Sequence, residues 1–141
     1  MNVTLRQLSI ADYDPVMVLW KSSEGMGFSN ADSRENIAAF LERNAGLSLV
    51  AEADGQIVGA VLCGHDGRRG FFYHLAVDRQ YRRRGIGQML AARCLALLQE
   101  RGIHKVHIVV FAENTEAQTF WKQLGWSKRD DLMMMSKQLT T

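Results

Sequence analysis

The chain has 141 residues, 47% of them hydrophobic and 23% charged, with a net charge of +2. These are the proportions of an ordinary soluble globule, and the length predicts a single domain, residues 1–141, with a core that needs neither metal nor disulfide. No apolar run approaches the ~18 residues of a membrane span. Met1-Asn2-Val3-Thr4-Leu5-Arg6 lacks a signal-peptide core, so a cytoplasmic protein with no membrane partner is expected. Cys63 and Cys94 lie in apolar stretches without metal-ligand spacing and read as packing thiols; no metal is expected.

Along the chain, Val3 to Leu8 alternates like a strand. Asp12 or Asp14 can cap a helix with Pro15 in its first turn and Val16, Leu19 and Trp20 on one face. A loop over residues 22–32 follows. Asp32-Ser33-Arg34-Glu35 then has capping-box spacing for a second helix, faced by Ile37, Phe40 and Leu41 and ending near Asn44. Leu47 to Ala53 and Gln56 to Cys63 flank Asp54-Gly55, a strong hairpin signal because a type I′ turn needs φ > 0 at both central residues. A second turn, Gly64 to Gly70, returns the chain into Phe71 to Val77.

Ile86 to Arg101 reads as the clearest helix, with Ile86, Leu90, Cys94, Leu97 and Leu98 on one face and Gly102 as its stop. Lys105 to Phe111 is expected as a short buried strand. A helix between two neighbouring strands implies a right-handed crossover, so the sheet turns parallel here. Glu116 to Leu124 forms a last helix stopped by Gly125. Trp126 to Arg129 and Leu132 to Gln138 read as a final hairpin around Asp130-Asp131, with core packing expected for Met133-Met134-Met135. The fold class is α/β (α+β) with a mixed, mostly antiparallel central sheet.

The chemistry concentrates at Arg82-Arg83-Arg84-Gly85-Ile86-Gly87, between the strand end Leu75-Ala76-Val77 and the long helix. A strand running through a basic, glycine-bearing loop into a helix gathers free N–H groups, a positive helix end and cations at one place, which makes an anion site. From His65 to Gln88, Arg68, Arg69, Arg79, Arg82, Arg83 and Arg84 outnumber Asp66 and Asp78, which suits a ligand with several phosphates or a nucleic-acid backbone. It is neither a Walker A loop, since no Gly-Lys-Ser/Thr follows, nor G-x-G-x-x-G, whose third glycine position is Leu90.

Arg82-x-x-Gly85-x-Gly87 resembles the acetyl-CoA-binding motif (Q/R-x-x-G-x-G/A) of the GNAT family of N-acetyltransferases. Asn114-Thr115-Glu116-Ala117-Gln118-Thr119-Phe120-Trp121-Lys122-Gln123-Leu124-Gly125-Trp126 resembles that family's later motif, N-x-x-A-x-x-F-Y-x-x-x-G-F, in the expected order. The resemblance implies a small single-domain, bacterial-type member with about seven strands and about four helices. It implies a soluble enzyme moving acetyl from acetyl-CoA to a primary amine by direct attack in a ternary complex. It also leaves room for a homodimer.

By the same resemblance, Leu75, Ala76 and Val77 offer main-chain groups to the pantetheine arm and thioester, where their strand splays from the next. The N–H groups of Arg83, Arg84, Gly85, Ile86, Gly87 and Gln88 hold the diphosphate, and the side chains of Arg82, Arg83 and Arg84 add attraction or reach the 3′-phosphate. Asn114 hydrogen-bonds pantetheine amides or caps the last helix, and Phe120 and Trp121 wall the channel. The segment joining the first two helices lines the acceptor site. The family's tyrosine, often proposed to protonate the thiolate, falls on Trp121, which has no acidic proton to give. The family's basic carboxylate falls near Phe71 or Val109, both apolar. Tyr73, expected on the face of Phe71 and Leu75, is the catalytic candidate by ordering a water; His107 is the runner-up, and His65, in a turn, and His74, expected on the face opposite Tyr73, are weaker. The missing acid and carboxylate leave open a non-catalytic acyl-CoA-binding module. A nucleic-acid patch is disfavoured, because only Tyr81 interleaves the arginines.

Overall fold

The computed structural model describes residues 2–139. The chain divides into two compact units, Met1–Val109 and Val110–Thr141. The first contains β1 (Thr4–Gln7), α1 (Tyr13–Lys21), α2 (Arg34–Arg43), β2 (Leu49–Ala53), β3 (Gln56–His65), β4 (Gly70–Val77), α3 (Ile86–Glu100) and β5 (Val106–Ile108); the second contains α4 (Thr115–Gln123). One sheet runs in the order β1-β2-β3-β4-β5. Its first three pairings are antiparallel and β4–β5 is parallel, as a helical crossover requires.

The β2–β3 turn has φ +53° at Asp54 and +75° at Gly55, the left-handed pair that a type I′ hairpin needs. β3 is buried on both faces and accordingly reads as a continuous small and apolar run, Val58 to Cys63. Ala60 and Leu62 join Val16, Leu19, Trp20 and Ile37 in the core under α1 and α2. On the other face, a Cβ added at Gly59 would lie 3.1 Å from Leu90 and 3.3 Å from Ile86, so α3 sits close on the sheet because that position has no side chain. Cys63 and Cys94 are free and buried, as packing thiols should be.

Several expectations change. The cap of α2 is Ser33, whose hydroxyl accepts from Asn36 N at 3.2 Å; the Asp32 carboxylate instead accepts from Ser29 N at 3.0 Å, closing a separate 3-10 turn. β5 covers only Val106–Ile108, partly buried, rather than residues 105–111. No strand forms over 126–138, so the described residues contain five strands rather than about seven. Asp130-Asp131 lacks the glycine that lets Asp54-Gly55 turn tightly, and Arg129 grips Asp131 through two bonds of 2.9 and 3.0 Å instead. Met133, Met134 and Met135 are 83%, 69% and 87% exposed, so the core role expected for them does not hold. Without a partner strand there is no second face to bury them.

The entry to α1 is fixed by charge. Arg6 donates two bonds of 2.8 Å to the Asp12 carboxylate and one of 2.9 Å to Glu52 on β2. Hydrogen bonds from Arg6 hold the Asp12 carboxyl below the usual carboxylate range, with help from Ser9 N. A depressed folded-state pKa contributes stability above the unfolded pKa and loses it as pH falls through the folded value. Asp12→Asn should therefore cost about 1–2 kcal/mol at pH 7, discounted for the half-exposed arginine. The gap to wild type should close as pH falls below ~4, measured by urea unfolding at a series of pH values.

Candidate active site

β4 organises the site. It pairs with β3 along most of its length, but β5 meets only Gly70, Phe71 and Phe72. Among the described residues no strand pairs with Tyr73–Val77 on the β5 side, so that edge of main chain is open, as the expected splay requires. The β3 register also slips: Leu62 faces Tyr73 and Ala60 faces Ala76, leaving Val61 opposite both His74 and Leu75. His74 absorbs the extra residue with φ +54°. The simple alternation that placed Phe71, Tyr73 and Leu75 on one face is lost at this bulge.

After Val77, Asp78 N bonds Val58 O at 2.8 Å and the Asp78 carboxylate caps a 3-10 turn, Arg79–Tyr81. Arg82 folds back, its Nε donating to Val77 O at 3.0 Å. Arg83 at φ +64° and Gly85 at φ +79° then swing the chain into α3. Gly85 offers no side-chain cap, and a Cβ there would meet nothing within 4 Å. Met89 N makes the first i→i−4 bond, to Gly85 O at 2.9 Å, so the N–H groups of Ile86, Gly87 and Gln88 have no partner within the helix. Ser33 and Asn114 cap α2 and α4 with their side chains, whereas neither α1 nor α3 has a side-chain cap. The first turn of α3 also carries no acidic residue.

The arginines divide their work. Arg82 bonds Val77 O and approaches Glu24 at 3.4 Å, while Arg79 pairs with Glu24 at 2.6 Å, tying the α1–α2 connection to the loop. The Arg84 guanidinium lies 5.3 Å from the Tyr81 ring centre, and Tyr81 in turn donates to Asp54 at 2.9 Å. Arg83 is exposed.

The second unit builds its motif locally. Asn114 Oδ1 accepts from Ala117 N at 3.0 Å, so its capping role is present. Trp121 is 8% exposed, with ring centres of Phe120 and Trp126 at 5.0 and 4.9 Å, both edge-on.

Residues 13–126 match the Acetyltransferase (GNAT) family. An acetyltransferase of Sodalis glossinidius is 32% identical over 128 residues, 91% of this chain and 89% of that one. One of Yersinia pestis is 34% identical over 123 residues, 87% and 86% of the two chains. The chain belongs to the GNAT acetyltransferase family. Among solved structures it resembles the PaiA N-acetyltransferase of Thermoplasma acidophilum in complex with coenzyme A, at TM-score 0.79 and 20% identity over 92% of each chain. It also resembles AAC(6′)-Iy in complex with a bisubstrate analogue, at TM-score 0.77 and 19% identity over 98% and 99%. At these identities the likeness concerns the fold, and the GNAT sheet it implies is the one described above.

Within this GNAT chain the proton-handling candidates stand as follows. Tyr73 is 43% exposed, stacked on Phe71 and edge-on to Phe40, and partial burial pushes its phenol up. The His107 ring touches Phe71, and His65 accepts from Gly67 N in a turn. His74, set aside on strand alternation, instead bonds Asp32 through Nε2 at 2.7 Å. Neither this pair nor Glu24 with its arginines was legible in the sequence. Their partners lie tens of residues apart, and Asp32 reads locally as a helix cap.

Both cysteines lie buried away from solvent. Cys94 donates to Leu47 O at 3.5 Å, and its thiol is pushed up by the neighbouring Cys63 thiol and by burial. Neither should react quickly with an aromatic disulfide reagent in the native protein, and both should titrate in guanidinium. A fast native thiol would contradict their burial.

Proposed function

We propose that residues 1–141 work as one N-acetyltransferase domain that binds acetyl-CoA and passes its acetyl group to a primary amine by direct attack in a ternary complex. The observation carrying this reading is the bare, acid-free N-terminus of α3, reached through left-handed Arg83 and Gly85 directly from the open edge of β4. Free N–H groups at a 15-residue helix's positive end suit a diphosphate. The open edge at Leu75, Ala76 and Val77 suits an extended amide-bearing arm that hydrogen-bonds like a strand. The neighbours bound to coenzyme A or a bisubstrate analogue support the same co-substrate.

In this reading the N–H groups from Arg83 to Gln88 hold the diphosphate. Arg83 and Arg84 supply side-chain charge to the phosphates, while Arg82, already bonded to Val77 O, chiefly shapes the loop. Asn114 retains both roles, since capping occupies its Oδ1 and leaves the amide NH₂ for a pantetheine carbonyl. Phe120 and Trp121 form an aromatic wall. Tyr73 orders water near the acetyl group. The thiolate leaves without a dedicated acid, which an intrinsic thiol pKa of ~8.5 permits. The acceptor is an amine of a small molecule or of a peptide or protein.

Thiol release from acetyl-CoA with a panel of primary amines, beside calorimetric titration of acetyl-CoA, tests the reading. Turnover with at least one amine is expected. Tight binding without turnover would replace the enzyme by an acyl-CoA-binding module.

Two variants sharpen the test. Gly85→Asn and Gly85→Asp are nearly isosteric and both tolerate a left-handed backbone, so they differ chiefly by one negative charge at the helix start. Gly85→Asp should bind acetyl-CoA more than ~10-fold more weakly than Gly85→Asn, given the repulsion expected a few ångströms from a diphosphate. Equal affinities would remove the phosphate from α3. Trp121→Tyr should change turnover less than ~3-fold, whereas restoration of a missing general acid would raise it by ~10²-fold or more.

A further inference from the structure

His74 takes a left-handed conformation, φ +54°, in the β4 bulge, one residue before Leu75. Backbone strain of this kind persists only when the surroundings hold it, and it concentrates at functional positions. Here the surroundings are specific. His74 Nε2 lies 2.7 Å from Asp32 Oδ1, with the two side chains 16% and 11% exposed. The second oxygen of Asp32 accepts from Ser29 N at 3.0 Å, and Tyr13 Oη donates to Asp32 O at 2.6 Å. Trp20 and Phe28 flank the imidazole, with ring centres at 5.0 and 5.3 Å.

An ionised carboxylate can only accept, so the Asp32 bond places the imidazole proton on Nε2 and leaves the lone pair on Nδ1. Nδ1 has no hydrogen-bond partner among the described residues. A histidine oriented by a buried carboxylate, with its other nitrogen unpaired, is arranged to take up a proton at that nitrogen. Among the described residues, no other histidine has a carboxylate partner.

We propose that His74, positioned by Asp32, is the general base that accepts the proton of the acceptor amine. This rests on the acetyltransferase reading above. The amine nitrogen attacks the thioester carbonyl and forms the C–N bond, and its proton passes to His74 Nδ1. The C–S bond breaks with its electron pair leaving on sulfur. The thiolate takes a proton from water, and His74 returns its own to solvent, which balances the reaction to amide and free thiol. Asp32 is a positioning residue. The titratable and charged groups around the pair are Tyr13, through Asp32 O, and Arg34, whose guanidinium lies 5.5 Å from the Tyr13 ring centre; Trp20 and Phe28 are neutral.

The test uses the full chain, saturating acetyl-CoA, and ethanolamine, spermidine and a peptide with a free N-terminus as acceptors, with thiol release followed from pH 6 to 9. His74→Gln keeps a donor toward Asp32. It should lower kcat by ~10²-fold or more with the best of these amines at every pH in that range, with the amine KM little changed. Its acetyl-CoA Kd should stay within twofold. Asp32→Asn should lower kcat less than His74→Gln, and should add little further loss in the His74→Gln background, because it acts through that histidine. If wild type turns over and His74→Gln stays within threefold of it, His74 is a structural residue and the acetyltransferase reading stands. If wild type binds acetyl-CoA and releases no thiol above the uncatalysed rate with any amine, that reading falls and the base falls with it.

Discussion

The architecture depends on a single asymmetry in β4. On one side β3 pairs with it from Gly70 to Val77; on the other β5 stops at Phe72. Main-chain groups are strong obligatory donors and acceptors, so an unpaired stretch at the edge of a partly buried sheet is costly unless water or a ligand completes it. β5 can be short because α3 carries the chain back across the sheet and is held there by packing. Gly59 admits Ile86 and Leu90 to close range, and Gly70 does the same for Leu98, whose Cδ1 would lie 2.8 Å from an added Cβ. Two missing side chains thus set α3 close to the sheet. Its first turn then follows directly from the open edge of β4, and the N–H groups of that turn are free because Gly85 cannot cap them.

The bulge belongs to the same economy. An extra residue between Tyr73 and Ala76 re-aims the strand as it leaves β5, and His74 takes the left-handed conformation that this demands. Histidine tolerates that region better than a β-branched residue would. Its ring is retained by contacts from Trp20 of α1 and from Phe28 and Asp32 of the α1–α2 connection. Glu24, in the same connection, reaches Arg79 and Arg82. One connection therefore touches the strand at its bulge and the loop beyond its end, so the segment expected to line the acceptor site is coupled to the segment expected to hold the cofactor.

What was legible in the sequence was local. Asp54-Gly55, the apolar face of α3 from Ile86 to Leu98, the glycine stops at Gly102 and Gly125, and the loop from Arg82 to Gly87 each carry their signal within a few residues. Errors arose where structure depends on distant partners. The segment 126–138 alternates well enough to suggest strands, yet alternation alone supplies no neighbour, and its acidic turn pairs with Arg129 and Lys128 instead. Asp32 has capping-box spacing to Glu35, but Ser33 takes that cap and Asp32 turns to a histidine 42 positions away. Period-two reasoning put His74 opposite Tyr73, and a bulge, which no short-range pattern announces here, is the one event that cancels such reasoning.

This division has a chemical counterpart. Groups proposed to hold the co-substrate are mostly main chain, from Leu75 to Val77 and from Arg83 to Gln88, and a main-chain site survives large changes of sequence so long as the glycines and the strand geometry remain. The acetyltransferases this chain matches are only about a third identical to it. Proton handling needs side chains, and those can be replaced singly. Trp121, Phe71 and Val109 stand where the family motif leads one to expect an acid and a base, and each packs or lies exposed without an ionisable group. A base proposed on β4 needs a carboxylate to orient it. At His74 the α1–α2 connection brings one.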